Sequence, residues 1–251
     1  MDDGSDNIAR NGIQVIARAA AILRTLKETQ TGMSLAQIAT KLDLPRSTVQ
    51  RIVTALQDER LVIASATGGG LRLGPELHAL AGAARYDVVE RCRPFLNDLA
   101  QTTGETVDLS VLRGARVIFL DQVQGTHRLR TISCVGEVFP LTSTANGRAC
   151  LSLLPEPEVA RLATAEWAHL GIKGDLPALQ TLLATVLKTG LAFDLDDHTP
   201  GISAVGFAFR DPTGDLHSIS VPVPSTRFAQ TRETVVASLN ALRPEVIRVM
   251  G

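Results

Sequence analysis

The run best suited to chemistry is Leu44-Pro45-Arg46-Ser47-Thr48-Val49-Gln50-Arg51-Ile52-Val53-Thr54-Ala55-Leu56. Val49, Ile52, Val53 and Leu56 return at helical spacing and share one face. The other face then presents Arg46, Ser47, Thr48, Gln50 and Arg51. Such a set reads nucleic acid: arginine pairs bidentately with guanine, and the hydroxyl and amide groups exchange hydrogen bonds with base edges. A merely solvated arginine face would carry the same residue types, so the neighbouring elements decide between the two readings.

Those neighbours form a recognisable frame. Residues 1–11 are polar and acidic and are expected to be a disordered leader. Ile13, Ile16, Ala20, Leu23 and Leu26 mark an amphipathic first helix. Ser34, with Gln37 three residues on, has the spacing of a capping box that opens a second helix. Pro45 suits the first turn of a third helix, where its missing N–H costs nothing. Residues 61–64 and 71–73 read as two short strands joined by a Gly68-Gly69-Gly70 loop, a wing with Arg72 beside it. Three helices and a hairpin make a winged helix-turn-helix over residues 12–74, with the third helix in the major groove. Between Ile8 and Gly74 nine basic side chains face four acidic ones, a charge of +5 against −1 for the whole chain. Phosphate neutralisation supplies much of DNA affinity, so positive charge gathered here favours double-stranded DNA as the partner. The expected DNA contacts are Ser34, Arg46, Ser47, Thr48, Gln50, Arg51 and Arg72.

Residues 75–86 read as a linker helix, and residues 87–251 as a second domain. There, residues 107–112 and 116–123 form a predicted hairpin, 129–133 a third strand, and 192–194, 203–209 and 217–223 further strands. Helices are expected over 88–101, 144–154, 156–164, 176–189 and 231–250. Strands interleaved with helices give an α+β class, with helices packed on one antiparallel sheet.

Enzymatic chemistry finds little support. The five histidines are scattered, without HExxH or GxSxG. Asp194, Asp196, Asp197 and His198 crowd together and leave a metal or hydrolytic site open as a rival to a solvated acidic loop. A second rival is a DNA-binding protein whose C-terminal domain serves assembly alone. Cys92, Cys134 and Cys150 are odd in number and lack CxxC spacing, which argues against a disulfide framework or structural zinc and for a cytoplasmic home. No apolar run reaches the ~18 residues of a membrane span. No cofactor or metal is expected.

The third-helix run, together with Ser34-Leu35-Ala36-Gln37-Ile38-Ala39 and Leu61-Val62, resembles the IclR (isocitrate lyase regulator) family. The other half is similar to that family as well, through Phe139-Pro140-Leu141-Thr142-Ser143-Thr144-Ala145-Asn146-Gly147-Arg148-Ala149, Gly190-Leu191-Ala192-Phe193-Asp194 and the segment from Pro200 to Val205. The resemblance implies a GAF-like effector domain, a homodimer or tetramer, and a small organic acid as effector. It implies a pocket lined by Ala145, Asn146, Gly147, Asp194, Ala204 and Ser220, with Ile132, Val138 and Leu141 as apolar walls. The acid's carboxylate is expected on the N–H groups of residues 145–147. Three positions depart from the family pattern: Arg148 where lysine is usual, Asp197 where glutamate is usual, and Asn146 where a small apolar residue is common.

Overall fold

The computed structural model describes residues 4–29, 31–65, 70–83 and 87–251, with side chains over 14–29, 31–65, 70–80 and 88–251. The chain divides into two compact units, Met1–Arg85 and Tyr86–Gly251.

The first unit holds α1 (Gly4–Lys27), α2 (Leu35–Leu42), α3 (Arg46–Asp58), β1 (Val62–Ala64), β2 (Leu71–Leu73) and α4 (Glu76–Ala83). The α1 helix reaches upstream of Ile13 into the stretch expected to be a leader. Extending a formed helix costs far less than nucleating one, so the amphipathic segment carries its polar extension with it. The capping box of α2 is present: the Ser34 hydroxyl accepts from the Gln37 N–H, and the Gln37 side chain accepts from the Ser34 N–H at 2.8 Å. Asp43 ends α2 in the left-handed region (φ 50°) and turns the chain toward α3. Ile22, Leu26, Ile38, Val49, Val53 and Val62 are buried together, so the apolar face read in α3 packs against α1 and α2. The two strands pair antiparallel, with Ile63 opposite Arg72, and Met33 bridges the other side of Leu71. A Cβ on Gly70 would lie 2.6 Å from the Met33 carbonyl carbon, and Gly70 has φ +118°, so this strand entry requires glycine. The rest of the wing tip, residues 66–69, and the end of the expected linker, residues 84–86, lie outside the described residues.

The second unit runs α5 (Asp87–Thr103), β3 (Val107–Arg113), β4 (Arg116–Val123), β5 (Val138–Phe139), α6 (Ala145–Leu151), α7 (Glu156–Leu170), α8 (Leu176–Thr189), β6 (Ala192–Leu195), β7 (Ile202–Arg210), β8 (Leu216–Pro224) and α9 (Ser225–Met250). Six strands form one antiparallel sheet in the order β5-β4-β3-β8-β7-β6. The sheet's faces differ in chemistry because side chains alternate along each strand. Leu109, Val205, Phe207, Ile219 and Val221 face α5 and α9 and form the main core. Asp108, Ser110, Ser218 and Ser220 lie on the opposite face, whose β6–β8 strands are covered by α6.

Residues 129–133 are not a strand. The edge of β4 they would need is taken by residues 136–139: the Phe119 N–H donates to Glu137 O at 3.0 Å, and the Gly136 N–H donates to Phe119 O at 2.8 Å. The 129–133 segment is held by side chains instead. Thr106 Oγ1 donates to Thr131 O at 2.8 Å, and Thr131 Oγ1 donates to Pro222 O at 3.2 Å. It becomes an irregular strap over the ends of β3 and β8.

Candidate nucleic-acid interface and small-molecule cavity

Burial of Val49, Ile52, Val53 and Leu56 fixes which face of α3 looks outward. At 100° per residue, the direction opposite that apolar stripe carries Ser47, Gln50, Arg51 and Thr54, and all four are exposed. Arg46 is exposed at the helix start. Thr48 is half-buried on the flank, where it lines a groove with Val15, Arg18 and Ala19 of α1. Thr54 was not among the expected contacts. It joins the set because Gln50 Nε2 donates to its hydroxyl at 3.3 Å, one turn on, an i,i+4 pairing readable from the sequence. Pro45 caps α3 without a side-chain hydrogen bond; the Thr48 N–H donates to Pro45 O at 2.9 Å, and the Arg46 and Ser47 N–H groups remain for a phosphate or water. The Ser34 hydroxyl, by contrast, is engaged with Gln37 in both directions. Arg72 is exposed on β2.

In the second unit a cavity of about 320 Å³ opens between the strap, the start of α6 and the polar face of the sheet. That volume is at the lower end of the ~300–1,000 Å³ of small-molecule sites. Asn146, Asp194, Ala204 and Ser220 line it, so four of the six expected pocket residues meet in one place. Ala145 and Gly147 do not line it. Ala145 is fully buried, and the Gly147 N–H donates to Thr144 Oγ1 at 3.1 Å, closing the expected carboxylate mount at that donor. Gly147 has another role: a Cβ there would lie 2.6 Å from the Leu141 carbonyl carbon, and closer still to its oxygen. Its missing side chain lets α6 rest on the preceding loop. Of the expected walls, Ile132 lines the cavity, whereas Leu141 is buried in a separate core with Val117, Leu151 and Leu162. Val138 lines a neighbouring groove of about 430 Å³ with Arg116, Glu166 and His169. Phe119, Phe139, Ile202 and Pro222 supply the apolar lining instead. Phe119 and Phe139 pack at 4.5 Å, and His198 meets Phe139 edge-on at 5.2 Å.

Three of the cavity's polar groups are carboxyls. Asp194 uses Oδ1 to accept from the Asp197 N–H at 2.9 Å and the His198 N–H at 3.4 Å, which folds the 194–198 loop. Burial raises its pKa, opposed by those N–H donors and by the charge of Arg148. Asp108, absent from the expected set, lies opposite Ser220 on the neighbouring strand and is only 2% exposed. Burial pushes its carboxyl up to about 7, although Gln122 Nε2 donates to it at 2.6 Å. The sequence signal for Asp108 was its place on the polar side of an alternating strand, which reads as solvent-facing until α6 and the strap cover it. Exposed Glu137 adds a third carboxylate. Asn146 donates to Ser110 Oγ at 3.1 Å, and Ser110 in turn meets Ser218 Oγ at 2.7 Å.

The two unusual residues flanking this site belong together. Arg148 donates to Asp197 Oδ2 at 2.7 Å, to Phe193 O at 2.6 Å and, through Nε, to Thr142 O at 2.9 Å. A longer cation is thus matched by a shorter carboxylate, and the planar guanidinium fork reaches two carbonyls that an ammonium would serve less well. The acidic loop is tied to α6 by this pair. The metal-like cluster among the described residues is elsewhere, at Asp211, Asp215 and His217, and there Arg113 already pairs with Asp215 at 2.5 Å. The three cysteines are unpaired.

A winged helix-turn-helix whose outward α3 face bears arginine, serine and glutamine, carried on a chain with an antiparallel-sheet unit enclosing a small cavity, has the make-up of a DNA-binding transcriptional regulator. Comparison with known proteins names the family. Residues 15–63 match the IclR helix-turn-helix domain, and residues 81–246 match the bacterial transcriptional regulator IclR C-terminal domain. The chain belongs to the IclR family of regulators and is not an enzyme. It is 44% identical over 219 residues to the HTH-type transcriptional regulator Rv1719 of Mycobacterium tuberculosis, covering 86% of this chain and 85% of that protein. It is 35% identical over 254 residues to the HTH-type transcriptional regulator TtgV of Pseudomonas putida, covering 100% and 97%. The fold matches the crystal structure of Thermotoga maritima IclR with a TM-score of 0.74 at 22% identity, covering 94% of this chain and 98% of that one. An IclR homolog from Microbacterium hydrocarbonoxydans, solved in complex with 4-hydroxybenzoate, matches with a TM-score of 0.67 at 19% identity, covering 92% and 99%. Among the described residues no helix is long and apolar enough to cross a membrane.

Proposed function

We propose that this regulator is a cytoplasmic homodimer or tetramer that controls catabolic genes, and that a small molecule held in the 320 Å³ cavity sets its affinity for operator DNA. The observation that supports this best is the convergence of Asn146, Asp194, Ala204 and Ser220 on a single cavity lined by both apolar and hydrogen-bonding groups. On the DNA side, Arg46, Ser47, Gln50 and Arg51 enter the major groove, and Arg72 on the wing contacts phosphate. Residues 75–86 act as the linker that transmits the signal. A ligand shifts such an equilibrium only through its different affinity for the two states, and couplings of ~1–3 kcal/mol alter operator affinity roughly 5–150-fold.

The small organic acid expected from the family resemblance is the less favoured occupant. Asp108, Asp194 and Glu137 line the cavity, no lysine or arginine among the described residues does, and the Gly147 N–H is already engaged. An acid entering here would have to place its carboxylate beside His198, the one residue able to carry positive charge among the described lining residues.

The test pairs operator titrations with and without candidate effectors, for wild type and Asp194→Ala. The variant keeps operator binding and loses the response, since its lesion lies in the other unit. A variant that responds like wild type would move the effector site away from this cavity. Footprints should show two half-sites about one helical turn, or a multiple, apart. A single unsplit site per monomer would refute the dimer.

A further inference from the structure

We propose that the cavity selects small non-anionic molecules that carry a hydroxyl or amine donor on a compact apolar body, and that it discriminates against carboxylates. The proposal rests on the reading of this cavity as the effector site and adds the chemical class of its occupant.

Three observations carry it. First, the lining has acceptors in excess: the Asp108, Asp194 and Glu137 carboxyls come from three separate stretches of the chain. Among the described hydrogen bonds each aspartate engages a single oxygen, Asp108 with Gln122 and Asp194 with the 197–198 amides. Second, Ser220 lines the cavity at 1% exposure and its hydroxyl has no partner among the described hydrogen bonds. That hydroxyl is therefore open to exchange a hydrogen bond with an occupant of the cavity. The register pairs Ser220 with Asp108, so one bound hydroxyl would meet both. Third, positive charge is withheld. Arg148, the cation that acts on Asp194, is held by Asp197 and by the Phe193 and Thr142 carbonyls, and it does not line the cavity. The hydroxyls of Ser133 and Thr199 are neutral donors, and His198 packs its ring against Phe139. Phe119, Phe139, Ile202 and Pro222 provide the apolar seat for a single ring.

A carboxylate brought here meets like charges in a partly desolvated space, where their repulsion is stronger than in water. A hydroxyl or ammonium of the same shape meets acceptors. The raised carboxyl of Asp108 lets that group donate when protonated and accept when ionised, so the site accommodates a neutral hydroxyl in both states.

The experiment uses three probes on one frame: 4-hydroxybenzyl alcohol, 4-hydroxybenzylamine and 4-hydroxybenzoate. Each is titrated calorimetrically into the full chain at pH 8, and each that binds is then added to the operator assay. The alcohol or the amine should bind at least roughly tenfold more tightly than the benzoate, a difference of ~1.4 kcal/mol. Asp108→Asn should narrow that gap, and Ser220→Ala should weaken the alcohol. Benzoate binding as tightly as the alcohol overturns the proposal, as does binding by none of the three. Alcohol affinity unchanged in both variants also overturns it, because binding would then lie elsewhere. If the benzoate binds best and shifts operator affinity, the regulator reading stands and this inference falls. If a probe binds in the cavity and the operator does not respond, the effector reading fails instead.

Discussion

Asp108→Asn isolates the cost of keeping a carboxyl on the covered face of the sheet. The Asp108 carboxyl is moved from 3.8 to about 7, with burial as the leading cause and the Gln122 hydrogen bond working against it. At ~1.4 kcal/mol per pH unit, ionised Asp108 is disfavoured in the folded chain by about 4 kcal/mol. The native state therefore holds a proton that the unfolded state releases between about pH 4 and 7, and stability falls as pH rises through that window. Asparagine keeps an oxygen that accepts from Gln122 and never ionises. Between pH 5.5 and 8.5 wild type should lose about 2 kcal/mol relative to Asp108→Asn, most of it below pH 7. For a domain of this size that widens the gap in Tm by ~4–8 °C. Glu137, Asp194 and His198 also face the site and are common to both proteins, so the comparison changes only Asp108. The assay is thermal unfolding followed by far-ultraviolet circular dichroism at half-unit pH intervals. A Tm difference that stays constant with pH would refute the reasoning, because it would mean that Asp108 ionises in the folded protein as readily as in the unfolded chain.

Other substitutions test other joints of the structure. Gly147→Ala forces a methyl group into the Leu141 backbone and should cost the second unit ~1–3 kcal/mol, seen as a lower Tm; an unchanged Tm would mean α6 moves off that loop freely. Arg51→Ala should weaken operator binding by ~1–3 kcal/mol in fluorescence anisotropy and relax the preference at one base position; equal affinity for operator would remove Arg51 from the recognition surface. Arg72→Ala should weaken specific and non-specific DNA alike and reduce the salt slope by about 1. A slope equal to wild type would exclude a phosphate contact by that residue.

Elements whose signals are local were legible in the sequence. Ser34 and Gln37 three residues apart announced the start of α2, and their reciprocal hydrogen bonds are what that spacing is for. The apolar repeat of α3 fixed its buried face, and hence the outward set that includes Gln50 and Arg51. The α8 helix begins and ends where Asp175 and Gly190 cap it. Signals that depend on partners were not legible. The 129–133 segment has strand-like composition, but an edge strand exists only where a free ladder edge remains, and residues 136–139 occupy it. Asp108 sits in a sequence of alternating polar and apolar residues that suits a sheet with one wet face. Only the packing of α6 and the strap turns that face into a closed, acidic cavity.

Family motifs carry positions more faithfully than chemistry. Gly147 was expected to offer its N–H to a ligand, yet Thr144 Oγ1 takes that N–H, and the glycine is demanded by the approach of the Leu141 backbone. Arg148 and Asp197 each read as an isolated departure, yet they lie 2.7 Å apart as one ion pair, the longer cation compensating the shorter acid. Because Arg148 is also held by two backbone carbonyls, exchanging only one member of the pair leaves a nearly buried charge with a badly fitting partner, whereas exchanging both restores the reach. The pair therefore acts as a unit that positions the acidic loop, and the loop carries Asp194 and His198 to the cavity wall. Positions away from that pair, above all Asp108 and Ser220, are left to set what the cavity accepts.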